Sequence, residues 1–212
     1  MLKASNQRKR KRFRKNREII LEAAKRVFSR KGFENTTMAD IAQAAEMAAG
    51  TLYLYFRGKE ELFYAVMEEG MNGLLQELKD AITGEKEANK QLRLFVQIPF
   101  HFFEENRDFY KIYLRELPSC SGEEARKSKR RCFQGHLDYV DILEGCLRKQ
   151  VWSTGAIEYP YREAALMIKG AIDYMIFGSM FEETTQPLTE KVDFLVEVFQ
   201  KGLAKAARKV RA

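Results

Sequence analysis

Apolar residues in this sequence return at intervals of three and four, the period of one face of an α-helix, and little interrupts them. From Arg17 to Lys31 they fall at Ile20, Ala23, Ala24, Val27 and Phe28. Gly32 follows, where the left-handed residue that closes a helix belongs. Only four prolines and 13 glycines punctuate 212 residues, and no stretch alternates apolar and polar residues as a half-buried strand does. An all-α chain is therefore expected. With 45% hydrophobic and 32% charged residues, it has the composition of a globular protein and the length to bury a real core.

Local signals divide the first third into short pieces. Thr37 precedes Met38, Ala39 and Asp40 as a capping box would, ahead of Ile41, Ala42, Ala44 and Ala45. Glu46 and Met47 leave room only for a tight turn before a helix from Ala48 to Phe56, with Leu52, Tyr55 and Phe56 on one side. Two short helices joined this closely make a helix-turn-helix. Gly58 ends that unit, and Lys59, Glu60 and Glu61 open a helix running to about Ile82. Further helices are expected over 90–105, 108–117, 123–152, 160–182 and 188–210. They are separated by breakers at Pro118 to Gly122, Ser153 to Gly155, and Gln186 with Pro187.

The net charge of +7 is unevenly spread. Residues 1 to 17 hold nine Lys or Arg and no acid; removing those nine from the 37 basic residues leaves 28 against 30 acids, a slightly acidic body. Such an arm suits a polyanion, and a disordered segment tracking DNA phosphates or the minor groove is expected. A membrane surface is the weaker partner: the arm has no interleaved aromatics apart from Phe13 and no amphipathic partner. The arm also lacks the apolar stretch of a secretory signal, and the most apolar later segment, Leu166 to Phe181, is broken by Lys169 and Asp173. A cytoplasmic, non-membrane protein is expected.

The run from Gly32-Phe33-Glu34-Asn35-Thr36-Thr37-Met38-Ala39-Asp40-Ile41-Ala42 to Gly50-Thr51-Leu52-Tyr53-Leu54-Tyr55-Phe56-Arg57-Gly58-Lys59-Glu60-Glu61-Leu62 closely resembles the DNA-binding domain of the TetR family over residues 15–65. The resemblance implies an arm (1–16), a three-helix DNA-binding domain (17–62) and a larger helical ligand-binding and dimerisation domain (63–212). It implies a homodimeric regulator, most often a repressor, that grips palindromic operator DNA until a small-molecule effector releases it. Thr37, Tyr53, Tyr55 and Lys59 would hold the DNA backbone, Ala48, Ala49, Gly50 and Thr51 would face the bases, and Arg14 and Arg17 would add phosphate contacts. A reader helix of eight or nine residues spans ~12 to 13 Å, close to the ~12 Å width of the major groove. Two positions depart from the family. Glu46 stands where the turn glycine is usual, implying a strained turn, and Ala48 replaces the usual capping hydroxyl.

The same resemblance implies that the last two long helices pair with those of a second copy as a four-helix bundle. The stripes Ile168, Ile172, Met175 and Val192, Leu195, Phe199 would supply that dimer interface. The middle helices would surround an effector cavity lined by Phe95, Phe102, Phe103, Tyr110, Tyr113, Tyr139, Leu143 and Tyr174. Each of these is equally an ordinary core residue. Together they favour an apolar or aromatic effector, and Pro99 should bend its helix.

An enzyme finds little material here. Cys132 and His136 sit one helical turn apart with Asp138 and Asp141 nearby, but no glycine-rich elbow or phosphate loop accompanies them. A metal- or thiol-responsive regulator of the same fold is the alternative. Against it, the histidines lie 35 positions apart and the cysteines at 120, 132 and 146 match no zinc or redox spacing. No cofactor and no metal is expected.

Overall fold

The computed structural model describes residues 2–116, 123–149, 160–181 and 186–209. Among them every regular element is helical: α1 (Leu2–Lys31), α2 (Met38–Ala44), α3 (Ala49–Leu52), α4 (Lys59–Gly84), α5 (Ala88–Glu105), α6 (Arg107–Glu116), α7 (Glu123–Lys149), α8 (Tyr161–Ser179) and, after a 3₁₀ turn at Leu188–Lys191, α9 (Val192–Lys209). The all-α architecture and most helix starts agree with the sequence. The breakers at 118–122 and 153–155, and the helix ends placed at 117, 152, 182 and 210, lie outside the described residues.

The basic arm differs from expectation. It is not irregular: α1 begins at Leu2 and runs without interruption into the apolar stripe. Lys and Arg are good helix formers, no Pro or Gly intervenes, and Arg14 pairs with Glu18 one turn on. Phe13 fits the same stripe as Ile20, so the helix could have been traced further back than Arg17.

The chain groups into two compact units, Met1–Gly70 with Asp108–Cys132, and Met71–Arg107 with Phe133–Ala212. In the first, Ile20, Leu21, Ala24 and Phe28 of α1 are buried with Ile41 of α2, Leu52 of α3 and Leu62 and Phe63 of α4. Phe28, Phe33 and Phe63 meet at centroid distances of 5.0 to 6.0 Å. Gly32 closes α1 with φ of 76°, as its position in the sequence indicates. Gly70 is required by close approach, since a β-carbon there would run into the Phe109 ring.

In the second unit α5 packs against α8, α9 and the 3₁₀ turn. Pro99 lies inside α5 and has no N–H to give the carbonyl of Phe95, four residues earlier. The buried hydroxyl of Tyr139 on α7 donates to that carbonyl instead, and its ring meets Phe95 edge-on at 5.5 Å. The vacancy left by proline thus becomes a tie between two helices. Buried Lys169 on α8 lies 5.1 Å from the centre of the Tyr139 ring and pairs with Asp173. Desolvation pushes the Lys169 pKa down, against the opposing pull of Asp173.

The expected dimer stripe needs correction. Ile168, Ile172, Val192 and Leu195 are buried within this one chain, and Met175 and Phe199 are half-buried. Exposed apolar side chains lie beside them: Leu166, Met167, Tyr174 and Phe177 on α8, Phe181 just after it, and Phe194 and Val198 on α9. Both helices carry two apolar faces, and packing against α5 claims the one the sequence had assigned outward.

Tyr139→Phe keeps the ring and removes the donor, stranding the Phe95 carbonyl. Denaturant unfolding should show a loss of about 1–3 kcal/mol, whereas an unchanged midpoint would mean the hydroxyl adds nothing.

Candidate nucleic-acid interface

The site begins with the cap of α2. Asp40 N–H donates to the Thr37 hydroxyl at 3.1 Å, while Thr37 N–H and its hydroxyl both donate to Asp40 Oδ2, at 2.9 and 2.8 Å. The capping box is complete. Lys31 donates to the other carboxylate oxygen at 2.7 Å. That bond, with the two Thr37 donors, holds the Asp40 pKa down at about 2. Thr37, expected at a DNA phosphate, therefore has its hydroxyl already engaged within the cap.

At the other end of α2 the chain reverses within two residues. Met47 N–H reaches the Ala42 carbonyl at 2.9 Å and Glu46 N–H reaches Gln43 at 3.1 Å, the bonding that follows a left-handed residue after a helix. That residue is Glu46, with φ of 54°. The strain expected from a side chain in the glycine position is present.

Ala48 then precedes α3 with no side-chain cap, as the missing hydroxyl implies. The reader is shorter than the eight or nine residues expected: only Ala49–Leu52 is α-helical. Beyond it the winding tightens, with Leu54 N–H to Thr51 and Tyr55 N–H to Leu52 at 3.1 and 2.9 Å. Leu52 and Phe56 are buried beneath. Ala48, Ala49 and Gly50 are exposed, nothing lies within 4 Å of a β-carbon built on Gly50, and Tyr53 is 56% exposed. Thr51 is half-buried. Small residues with a projecting tyrosine thus form the open side of this turn.

The remaining expected contacts separate. Tyr55 is tied inward: Phe13 stacks on it at 4.4 Å and Asn16 donates to its hydroxyl at 2.9 Å, leaving the phenolic proton available. Arg17 lies 5.3 Å from the centre of the Phe56 ring, and Arg14 stays exposed beside Glu18. Lys59 is not presented to a phosphate. Its ammonium donates to the carbonyls of Phe33 and Glu34 at 2.8 and 3.2 Å and sits 4.4 Å from the centre of the Phe33 ring. It ties the start of α4 to the turn after α1. Phe13, an aromatic of the basic arm, and Asn16, which no sequence signal marked, lie on the helix stripe that leads to Ile20.

In the second unit the residues expected to line an effector cavity divide. Phe95, Phe102, Phe103, Tyr139 and Leu143 are buried, with Phe102 3.6 Å from where a β-carbon on Gly73 would sit. Tyr110 is half-buried, and it belongs to the first unit. Tyr174 is 74% exposed and lines no interior space. The Tyr113 side chain falls outside the described residues. Burial, reinforced by the neighbouring Lys169 charge and against the pull of Asp173, lowers the His136 pKa to about 4, so the ring is neutral near pH 7.

The metal- and thiol-responsive alternative gains nothing. Among the described residues no group of His, Cys, Asp and Glu could hold a metal, and burial raises the Cys146 thiol pKa away from the reactive thiolate. The Cys132 side chain and Cys120 lie outside the described residues. No helix among the described residues is long and apolar enough to cross a membrane.

Residues 20–66 match the family described as bacterial regulatory proteins, tetR family. The chain is similar to the fatty acid metabolism regulator protein of Bacillus subtilis, 25% identical over 185 residues, which are 87% of this chain and 93% of that protein. An uncharacterized HTH-type transcriptional regulator of B. subtilis, YfiR, is 47% identical over 64 residues, 30% of this chain and 31% of that one. Among solved structures, the transcriptional regulator FadR from B. subtilis in complex with stearoyl-CoA matches at a TM-score of 0.75 and 25% identity, covering 87% of this chain and 98% of that chain. All three are described as regulators, two of them as transcriptional regulators.

Glycine relieves a left-handed residue of its β-carbon clash. Glu46→Gly should therefore stabilise the protein by about 1 kcal/mol in thermal or denaturant unfolding, and a destabilised variant would show that the glutamate side chain contributes more than its backbone costs.

Proposed function

Starting from a chain that carries the DNA-binding domain of the TetR family, we propose that this transcriptional regulator is a homodimeric repressor, released from operator DNA by a fatty-acyl thioester of coenzyme A. The observation that carries the DNA half is the open side of the reader: Ala48, Ala49 and Gly50 exposed with Tyr53 beside them, on a turn whose opposite side is fully buried. Small residues admit close approach to base edges, and tyrosine is a phosphate donor. The cationic first half of α1 supplies the sequence-independent attraction that brings the reader to duplex DNA. Tyr55 and Lys59 serve mainly by holding the reader in place.

The effector is drawn from the similarity to the fatty acid metabolism regulator and to the stearoyl-CoA-bound FadR, which extends over nearly the whole of each protein. It agrees with the apolar side chains of the second unit and gives the earlier expectation of an apolar effector a chemical class. A coupling of ~1–3 kcal/mol between effector and DNA suffices to change affinity 5- to 150-fold.

The second copy docks on the exposed apolar face of α8 and α9. Tyr174, Phe177 and Phe181 follow one another at ring distances of 6.3 and 4.8 Å. Leu166, Met167, Phe194 and Val198 extend the set. Soluble monomers rarely expose so much apolar surface, and a two-fold axis lets one such face cover another. Two readers at a fixed separation then match half-sites one helical turn of DNA apart, or a multiple of it.

Two measurements test this. An operator fragment selected from random DNA should be retained by the wild type and released by micromolar stearoyl-CoA; retention at saturating thioester overturns the effector assignment. Phe177→Glu should convert the dimer to monomers of unchanged helicity by sedimentation and weaken operator binding more than tenfold. A variant that remains dimeric places the interface elsewhere.

A further inference from the structure

The basic arm and the reader belong to the same unit, and Phe13 and Asn16 fasten one to the other. Phe13 stacks on Tyr55 at 4.4 Å and Asn16 donates to the Tyr55 hydroxyl at 2.9 Å. No break separates these two residues from the rest of α1. A helix held at one turn is held in rotation over the turns beside it, so the residues before Phe13 face in fixed directions. Lys9 and Arg10 stand four and three positions before Phe13 and share its side of the helix. They lie about one turn, ~5 Å, further out along the axis. Both are exposed, and neither is in an ion pair among the described residues. The opposite side differs. Lys11 and Lys15 fall on a stripe that continues through Glu18 and Glu22, and Arg14 beside it pairs with Glu18 at 3.7 Å. No acid shares the stripe that runs from Lys9 and Arg10 through Phe13 to Ile20.

Charge on a fixed side of a helix has a direction, which charge on a loose tail does not. A groove ~12 Å wide has phosphates along both edges, and Tyr55 closes the turn that would enter it, so a helix fastened there stands at the groove's edge. We infer that the arm is a rigid second DNA-binding element, in which Lys9 and Arg10 hold phosphates of the strand beside the reader while Lys11 and Lys15 face solvent. This assignment rests on the DNA-binding reading above. Cations at a set distance from the reader do more than attract it to duplex DNA, because they fix its register there.

The test measures how binding of the full-length protein to the selected operator fragment depends on salt. Two double variants remove the same charge: Lys9→Gln with Arg10→Gln, and Lys11→Gln with Lys15→Gln. The first should reduce the slope of log affinity against log salt by about 1.8 for each arm, the loss of two phosphate contacts, and the second by less than half as much. A third variant carries Gly-Pro-Gly inserted between Arg12 and Phe13, which keeps every charge and breaks the helix; it should behave as the first. All these changes precede the buried stripe that begins at Ile20, and unaltered thermal unfolding confirms that the fold is kept. Equal losses from the two double variants, or wild-type binding by the insertion, overturn the assignment and leave the DNA-binding reading standing. A wild type that binds no duplex at low salt overturns both. Capture by phosphatidylglycerol vesicles that depends on Lys9 and Arg10, with duplex binding that does not, gives this side of the arm to a membrane and overturns the assignment.

Discussion

A helix of one turn has no stability of its own, because nucleation costs more than its few hydrogen bonds return. The short α3 is such a helix, without even a side-chain cap, and its neighbours in the first unit hold it. Leu52 and Phe56 anchor its underside. The capping box and the bonds around Glu46 fix α2 and the turn that leads in. Lys59 ties the start of α4 to the turn after α1. Phe13 and Asn16 hold Tyr55 from the helix extension. Every polar group that secures the frame is withdrawn from the open side, which leaves that side to small residues and Tyr53.

The second unit solves a different problem. A proline in mid-helix strips a carbonyl of its donor, and the Tyr139 hydroxyl replaces it from another helix. The lost bond becomes a tertiary contact that fixes α5 against α7. Lys169 buries its charge beside the same ring and retains Asp173 as counter-ion, an arrangement that fails if either partner is removed. The two apolar faces of α8 serve two partners, the chain's own α5 and, in the proposed assembly, a second copy.

Where bonding partners lie within four or five residues of one another, the sequence was a sufficient guide. The Gly32 terminus, the Thr37–Asp40 box and the break at Pro187 were legible because each depends on local backbone geometry, while the strain at Glu46 and the uncapped Ala48 were implied by departure from the family that the run resembles. Leu52 and Phe56 were legible as core because helical period places them together. The arm was misjudged because its charge suggested disorder, whereas the helix needed only good formers and no breaker.

The amino-acid order by itself thus determined an all-helical chain and a helix-turn-helix near its start, since these follow from short-range periodicity and capping; the family of that domain came from the resemblance of the run from Gly32 to Leu62. Only the tertiary structure decided that Lys59 serves two carbonyls 25 and 26 positions away, that Tyr139 answers Pro99, and that Ile168 and Ile172 face inward while Met167 and Tyr174 face out. Helical periodicity shows that a side is apolar. Which partner covers it depends on residues far apart in sequence, and that becomes fixed only when the helices pack.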